Sequence, residues 1–304
     1  MGNGMYDLRS RVPAQSLMER TVELHPRGFY APSGEALAWY TGALGEIAVA
    51  GILGWLGPEW TVLHSVPVGR NDSDIDHIVI GPAGVFTINT KSHVGKDIWI
   101  GGYGLLVSGQ KTHYITNAIH EGARAEKLLS AACNLTVPVT PVLVLVNPGK
   151  RKVKSAPEGG VRVVADWELL DSLRGRPVFS DQQVEKIVMA AIRPGTWHQH
   201  PAAPVDARTL GIQFNAIMAR GHQGAVPAPA SAVPTPTLRS GAVKPALVSQ
   251  RPRSAVAHLT TIGRRQRARK SAKNEALAKL LILAGMAWLL LGVVVPAMQA
   301  ATTP

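Results

Sequence analysis

The chain has 304 residues, of which 46% are hydrophobic and 17% charged, so it can bury a core and is not globally disordered. Its single cysteine, Cys133, excludes an intramolecular disulfide framework and a zinc site built from several thiolates. The formal net charge is +12, but residues 251–279 alone carry +8 and leave only +4 for residues 1–250. Most of the basicity therefore belongs to the carboxyl-terminal part of the chain.

The amino-terminal region shows no clear hydrophobic period, and we predict a loose arm over residues 1–32. The next segment predicts a helix over about 33–56, in which Glu46 shares a stripe with Val49 and Leu53. A carboxylate on an apolar stripe needs a partner, a metal or a proton, unless it lies at the edge of the stripe and reaches water. The pattern alone leaves both alternatives open.

Short segments rich in β-branched residues follow and predict strands, with helices between them. In chain order, the expected elements are strands Thr61–Val68, Ile75–Ile80, Val85–Lys91, Ile98–Ile100 and Leu105–Val107, a helix Asn117–Cys133, strands Val142–Val146 and Val161–Ala165, and two helices capped by Asp166 and Ser180. This order predicts an α/β fold over residues 33–200, with a mixed central sheet flanked by helices. Cys133 is interpreted as a small core residue.

The remainder of the chain predicts a membrane anchor. Residues 201–263 are interpreted as a linker rich in proline and alanine, and residues 264–279 as a basic juxtamembrane segment. Residues 280–298 contain no charge, and at about 1.5 Å per residue their helix would be roughly 28 Å long, enough to cross a bilayer. We expect a single-pass protein of the cell membrane.

The orientation follows from the distribution of lysine and arginine. Residues 264–279 are basic and residues 280–304 contain no lysine or arginine, so the positive-inside rule places residues 1–279 in the cytoplasm. The basic segment also favours contact with anionic lipid, while a DNA-binding tail is the alternative interpretation.

A group of polar side chains is expected on one hairpin of the predicted sheet. The turn Gly81–Gly84 sets a register in which Asp76 lies opposite Asn89, and Asp74 lies opposite Lys91. Because side chains alternate along a strand, all four would lie on one face of the sheet. The arrangement suits a divalent metal with a cation beside it, whereas a solvated surface ion pair is the alternative.

Three segments of the chain, Gly45-Glu46, Asp74–Ile80 and Gly84–Lys91, resemble the nuclease-related domain (NERD) family, which belongs to the PD-(D/E)xK nuclease superfamily. The resemblance covers roughly residues 40–150 and implies a restriction-endonuclease-like fold. It also implies a phosphodiesterase site that uses Mg²⁺ or Mn²⁺.

In that site the resemblance makes Asp76 the principal metal ligand, Glu46 a second metal ligand supplied by the helix, and Lys91 the lysine of the motif. Two positions depart from the family pattern. Asn89 stands where the family has an acid, two residues before the lysine. The segment Asn117–Glu121 keeps the first residue of an Asn-Pro-x-x-Gln helix start but lacks the proline and the glutamine.

The substitution at position 89 leaves two functions open. An asparagine offers one neutral oxygen, so Asn89 would complete a weaker metal site, and the chain would be a membrane-tethered, metal-dependent hydrolase of DNA phosphodiesters. Alternatively, the chain is a catalytically inactive nuclease-fold module that binds nucleic acid or a protein partner at the membrane.

Overall fold

The computed structural model describes residues 7–25, 32, 34–68, 73–198 and 205–223. The predicted basic segment 264–279 and the predicted membrane span 280–298 lie outside the described residues, as does most of the predicted linker.

Seven α-helices and nine strands lie within the described residues. The helices are α1 (Gln15–Leu24), α2 (Gly34–Leu53), α3 (Tyr114–Cys133), α4 (Leu169–Leu173), α5 (Asp181–Ala191), α6 (Pro194–Trp197) and α7 (Ala207–Gln223). The strands are β1 (Thr61–Pro67), β2 (Asp74–Gly81), β3 (Gly84–Ser92), β4 (Ile98–Gly102), β5 (Gly104–Val107), β6 (Gln110–Thr112), β7 (Val139–Val146), β8 (Arg151–Pro157) and β9 (Arg162–Ala165).

The strands form two mixed sheets, so the prediction of a mixed α/β fold is confirmed. The larger sheet has the order β1-β2-β3-β7-β9, in which the first three strands are antiparallel and β7 and β9 run parallel to β3. The smaller sheet has the order β6-β5-β4-β8. Strands β6 and β8 were not predicted, because β6 is only three residues long and β8 is a largely exposed edge strand without an apolar face.

Helices cover both faces of the larger sheet. On one face Ile78 and Ile80 of β2 pack in one core cluster with Leu129 of α3 and Ile187 of α5. On the other face the strands pack against Val49 and Leu53 of α2 and against α4. Strand β7 is buried on both sides, as its continuous apolar run predicts, because alternate residues join the α2 cluster and the core beneath the smaller sheet.

Two predicted boundaries of the folded domain are corrected by the structure. Residues 7–25, expected in a loose arm, contain α1, and Leu8 and Met18 are buried. The linker expected over residues 201–263 overlaps α7, which buries Phe214. Helices α1, α2 and α7 share one apolar cluster, so segments that look unpatterned in isolation are stabilised by packing on each other.

Helix α2 is long and apolar enough to cross a membrane, with 20 residues and a hydropathy of 1.4. It instead lies between two layers of the domain. Its Val49 and Leu53 pack on the larger sheet, and Ala43 and Ile47 pack with α1 and α7. A helix that is apolar around most of its circumference is expected when both sides are covered by protein.

Candidate active site

The site lies where β2 and β3 separate. The two strands pair in the predicted register from Gly81↔Gly84 to His77↔Ile88. Strand β3 then continues to pair with β7 as far as Ser92↔Val146, while its ladder with β2 ends. The end of the β2–β3 hairpin is therefore open, and helices α2 and α3 flank it.

The Asp76 carboxylate occupies this opening. Asp76 is 8% exposed, and its Oδ2 accepts the backbone N–H of Thr90 at 2.6 Å. This contact lies just beyond the last β2–β3 backbone pair and joins the two strands through a side chain. Burial raises the pKa of Asp76 to about 6, although the Lys91 charge and the Thr90 N–H both favour the ionised form.

The Glu46 carboxylate reaches the same place from α2. Gly45 permits this because α2 approaches β3 closely: a Cβ at position 45 would lie 3.2 Å from the Ser92 Cβ. Glu46 is 5% exposed, and its Oε2 has no hydrogen-bond partner. Burial raises its pKa well above the ordinary value, with further raising by the charges of Asp76 and Asp74. The sequence left two alternatives for Glu46. The structure agrees with a buried carboxylate that needs a partner, and not with one that reaches water at the edge of the stripe.

The Lys91 ammonium interacts electrostatically with these acids but forms no ion pair with either of them. Its Nζ donates to the carbonyl oxygen of Thr90 at 3.1 Å and lies 5.5 Å from the centroid of the Tyr114 ring on α3. None of the ion pairs within the described ranges includes Lys91. Its charge nevertheless lowers the pKa values of Asp76 and Glu46, so the ammonium belongs to the same electrostatic group.

Asn89 is engaged by an acid that the sequence argument did not single out. The Asn89 Nδ2 donates to Oε2 of Glu121, on α3, at 3.1 Å. The other oxygen of Glu121, Oε1, is buried and has no hydrogen-bond partner. Burial, and next the charge of Asp76, raise the pKa of Glu121 to about 8.

A signal for Glu121 was present in the two departures from the family pattern. Position 89 has an amide where an acid is usual, and position 121 has an acid where the glutamine is usual. Neither departure by itself predicts the other, because one sequence does not show that the two side chains touch.

Asp74 and His77 differ in their placement from the four predicted site residues. Asp74 was expected opposite Lys91. Burial raises its pKa, and the groups that oppose this rise are Ser16 and Arg11, at the amino-terminal side of the domain. His77 is fully buried, and its Nδ1 lies 2.9 Å from Nδ1 of His64 on β1. The structure agrees with the interpretation of His77 as a packed residue, and burial lowers its pKa well below the usual value.

The donor chemistry of the site fits a hard divalent cation. Carboxylate and amide oxygens are the ligands that Mg²⁺ and Mn²⁺ prefer, and buried oxygens of Glu46 and Glu121 have no partner. In the described part of the chain, no group of three or more His, Cys, Asp or Glu side chains is arranged to hold a metal ion as it stands. Ligation of one cation by Asp76, Glu46 and Glu121 would therefore require these side chains to move toward one point. A cation would favour this movement because it removes the repulsion between the carboxylates.

Comparison with known proteins supports the nuclease resemblance. Residues 41–146 match the family model described as a nuclease-related domain. This range contains Glu46, Asp76, Asn89, Lys91 and Glu121, and it covers the open end of the β2–β3 hairpin. No curated protein and no solved structure matches the chain.

The structural class is thus a mixed α/β domain with buried acids at a strand opening. The predicted resemblance is confirmed: this part of the chain matches the nuclease-related domain (NERD) family, and the match is consistent with the PD-(D/E)xK superfamily.

Proposed function

We propose that this protein hydrolyses DNA phosphodiesters with Mg²⁺ or Mn²⁺, and that it does so at the cytoplasmic face of the membrane. The observation that carries the proposal is the convergence of Asp76 and Glu46 beside Lys91 at the open end of the β2–β3 hairpin. Buried acids that repel one another are costly unless a bound cation offsets that repulsion.

Each of the four predicted residues has a distinct role in the proposed reaction. In the sequence-based assignment, Asp76 and Glu46 would hold the cation, and the amide oxygen of Asn89 would be a neutral third donor. When bound, a divalent cation supplies Lewis-acid activation of the phosphate and of water. Lys91 orients the attacking water or stabilises the negative charge that develops on the phosphate oxygens.

A basic face on the smaller sheet supports DNA as the substrate. Across β6, β5, β4 and β8 the register places Lys111, Leu106, Trp99 and Lys152 in one row. Ile98 and Ile100 of β4 point to the opposite face, which is buried, and Lys111 and Lys152 are exposed. A hollow of about 460 Å³ lies beside Trp99 and Lys152. Lysines around an aromatic ring favour contact with phosphates and bases.

The second candidate function is a nuclease-fold module that binds DNA without cleaving it. Asn89 favours this candidate, because position 89 contributes a neutral donor and its amide nitrogen is committed to Glu121. The presence of Asp76, Glu46 and Lys91 at one site favours hydrolysis.

Plasmid nicking by the full chain in detergent, with Mg²⁺ or Mn²⁺, distinguishes the two candidates. We expect nicking by the natural protein and a loss of at least about 100-fold in Asp76→Ala and Lys91→Ala. Equal nicking by these variants would refute the assigned roles. If the natural protein binds the plasmid without nicking it, and Asn89→Glu cuts, the binding module is the correct function.

The membrane tether is a separate part of the proposal and rests on the uncharged segment 280–298 and the basic segment before it. In sealed membrane vesicles, added protease should digest the domain in inside-out vesicles and leave it intact in right-side-out vesicles. The reverse pattern would contradict the orientation, and release of the domain by high salt alone would contradict the span.

A further inference from the structure

The hydrogen bond that the Glu121 side chain accepts does not require a negative charge. The one hydrogen bond described for its side chain is the one that it accepts from Asn89 at Oε2. A glutamine side-chain oxygen would accept the same bond. The negative charge of a glutamate at this position therefore needs a different explanation from the support of Asn89.

The surroundings of Glu121 make that charge costly. Asp76, Glu46 and Asp74 all interact electrostatically with one another or with Glu121, so several carboxylates share one largely buried volume. Lys91 is the cation that acts on all of Asp76, Glu46 and Glu121. A single ammonium does not offset three ionised carboxylates, so in the metal-free protein burial and mutual repulsion favour the protonated forms. A divalent cation would favour the ionised forms instead.

The unpartnered oxygens indicate where such a cation would bind. Oε2 of Glu46 comes from α2 and Oε1 of Glu121 comes from α3, and both are buried without a hydrogen-bond partner. Helices α2 and α3 both contact β3, and both carboxyl groups interact electrostatically with Asp76. A buried polar atom without a partner needs a group that completes it, and at two carboxylate oxygens of one site a cation would do so.

We propose that Glu121 is the third acidic ligand of the metal site and supplies from α3 the carboxylate that position 89 lacks. Asn89 then positions Glu121 through the hydrogen bond to Oε2, and leaves Oε1 for the cation. This inference rests on the proposed function, because it assumes that the site binds Mg²⁺ or Mn²⁺. It differs from the sequence-based assignment, in which Asn89 itself was the third ligand.

Binding of Mn²⁺ to the full chain in detergent tests this assignment without any measurement of catalysis. The dissociation constant is obtained from the loss of the free-ion electron paramagnetic resonance signal. We expect Glu121→Gln to weaken binding by about 10-fold or more, because it removes one charged ligand and keeps the side-chain volume. Glu126→Gln is the matched control, since it makes the same change at an exposed position of the same helix and should bind as the natural protein does.

The second part of the binding test exchanges the side chains at positions 89 and 121. The double variant Asn89→Glu, Glu121→Gln returns the acid to β3 and places the amide on α3, and it should recover most of the affinity that Glu121→Gln loses. Equal Mn²⁺ affinity in the natural protein and Glu121→Gln would overturn the role of Glu121 while leaving the proposed metal site intact. An absence of Mn²⁺ binding in the natural protein would overturn the metal-dependent function and this inference together. Circular dichroism spectra identify any variant that has lost its fold.

Discussion

At the residue scale, the chemistry of the site depends on how many carboxylates share one buried volume. Asp76 and Glu46 were predicted from the sequence because each interrupts an apolar pattern. Glu121 was not, because helix α3 is amphipathic and an acid on it is normally exposed. Its oxygen atoms are enclosed because α3 lies against the end of β3, a contact between segments about thirty residues apart in sequence.

The raised pKa of Glu121 predicts that the metal-free protein loses stability as pH rises. The carboxyl has a pKa of about 8 in the folded chain and an ordinary value of 4.5, so between these pH values the folded state retains a proton that the unfolded state has released. The free energy of unfolding therefore falls over this interval, by about 1.4 kcal/mol for each unit of pKa difference. Asp76 and Glu46 act in the same direction.

Urea unfolding of the full chain in detergent and chelator, at pH 5 and at pH 8, measures this effect. Glu121→Gln should reduce the loss of stability between the two pH values, because glutamine does not titrate. The same change at the exposed Glu126 should not reduce it. An unchanged slope in Glu121→Gln would show that Glu121 is ionised in the folded protein across the whole interval.

At the scale of elements, the distance between α2 and β3 determines whether Glu46 reaches the strand opening. A Cβ added at Gly45 would lie 3.2 Å from the Ser92 Cβ and 3.6 Å from the Thr90 Cγ2. In the same helix, a Cβ added at Gly51 would meet no atom within 4 Å. The two glycines therefore differ in their surroundings, and only at Gly45 does the missing side chain permit a close approach of α2 to β3.

Alanine at these two positions should have opposite effects. Gly51→Ala should stabilise the protein by up to about 1 kcal/mol through its helix propensity. Gly45→Ala gains the same propensity but should be destabilising by about 1–2 kcal/mol, because α2 must move away from β3. Chemical denaturation gives both values, and Mn²⁺ affinity should fall in Gly45→Ala alone. Stabilisation by both substitutions would contradict the close packing at Gly45.

The basic face of the smaller sheet makes a prediction of its own. Replacing Lys111 and Lys152 by alanine should weaken the binding of a DNA oligonucleotide and reduce the slope of log affinity against log salt by up to about two. The control replaces two exposed lysines outside this sheet, Lys127 and Lys186, by alanine. Fluorescence anisotropy at several salt concentrations measures both pairs. Equal losses in the two pairs would mean that DNA does not contact this face.

At the scale of the whole molecule, the folded unit is larger than the nuclease-related region. Residues 41–146 match the family model, yet α1 and α7 lie on either side of this range in sequence and pack together against α2. Phe214 is 1% exposed and lies 5.4 Å, centroid to centroid, from the ring of Tyr40. Helix α2 carries Glu46, so the flanking helices support one wall of the site.

Truncation of one side chain in α7 tests this support. Phe214→Ala should cost about 3–5 kcal/mol of unfolding free energy, because it empties a buried position in the cluster of α1, α2 and α7. Ile212→Ala in the same helix should cost less than about 0.5 kcal/mol, since Ile212 is 63% exposed. Denaturation of both variants provides the comparison. Similar small costs would show that α7 does not stabilise the domain in solution.

The sequence by itself determined the central strands, the register of the β2–β3 hairpin, the acids at Asp76 and Glu46, and the family. These features depend on local periodicity, on the geometry of one tight turn and on short motifs, all of which are visible within a few residues. The end of the β2–β3 ladder, the packing of α1 and α7, and the contact of Glu121 with Asn89 were decided only by the tertiary structure. These contacts form between segments that are distant in the chain, whose side chains come together because the helices cover the sheet. No local sequence pattern predicts such contacts.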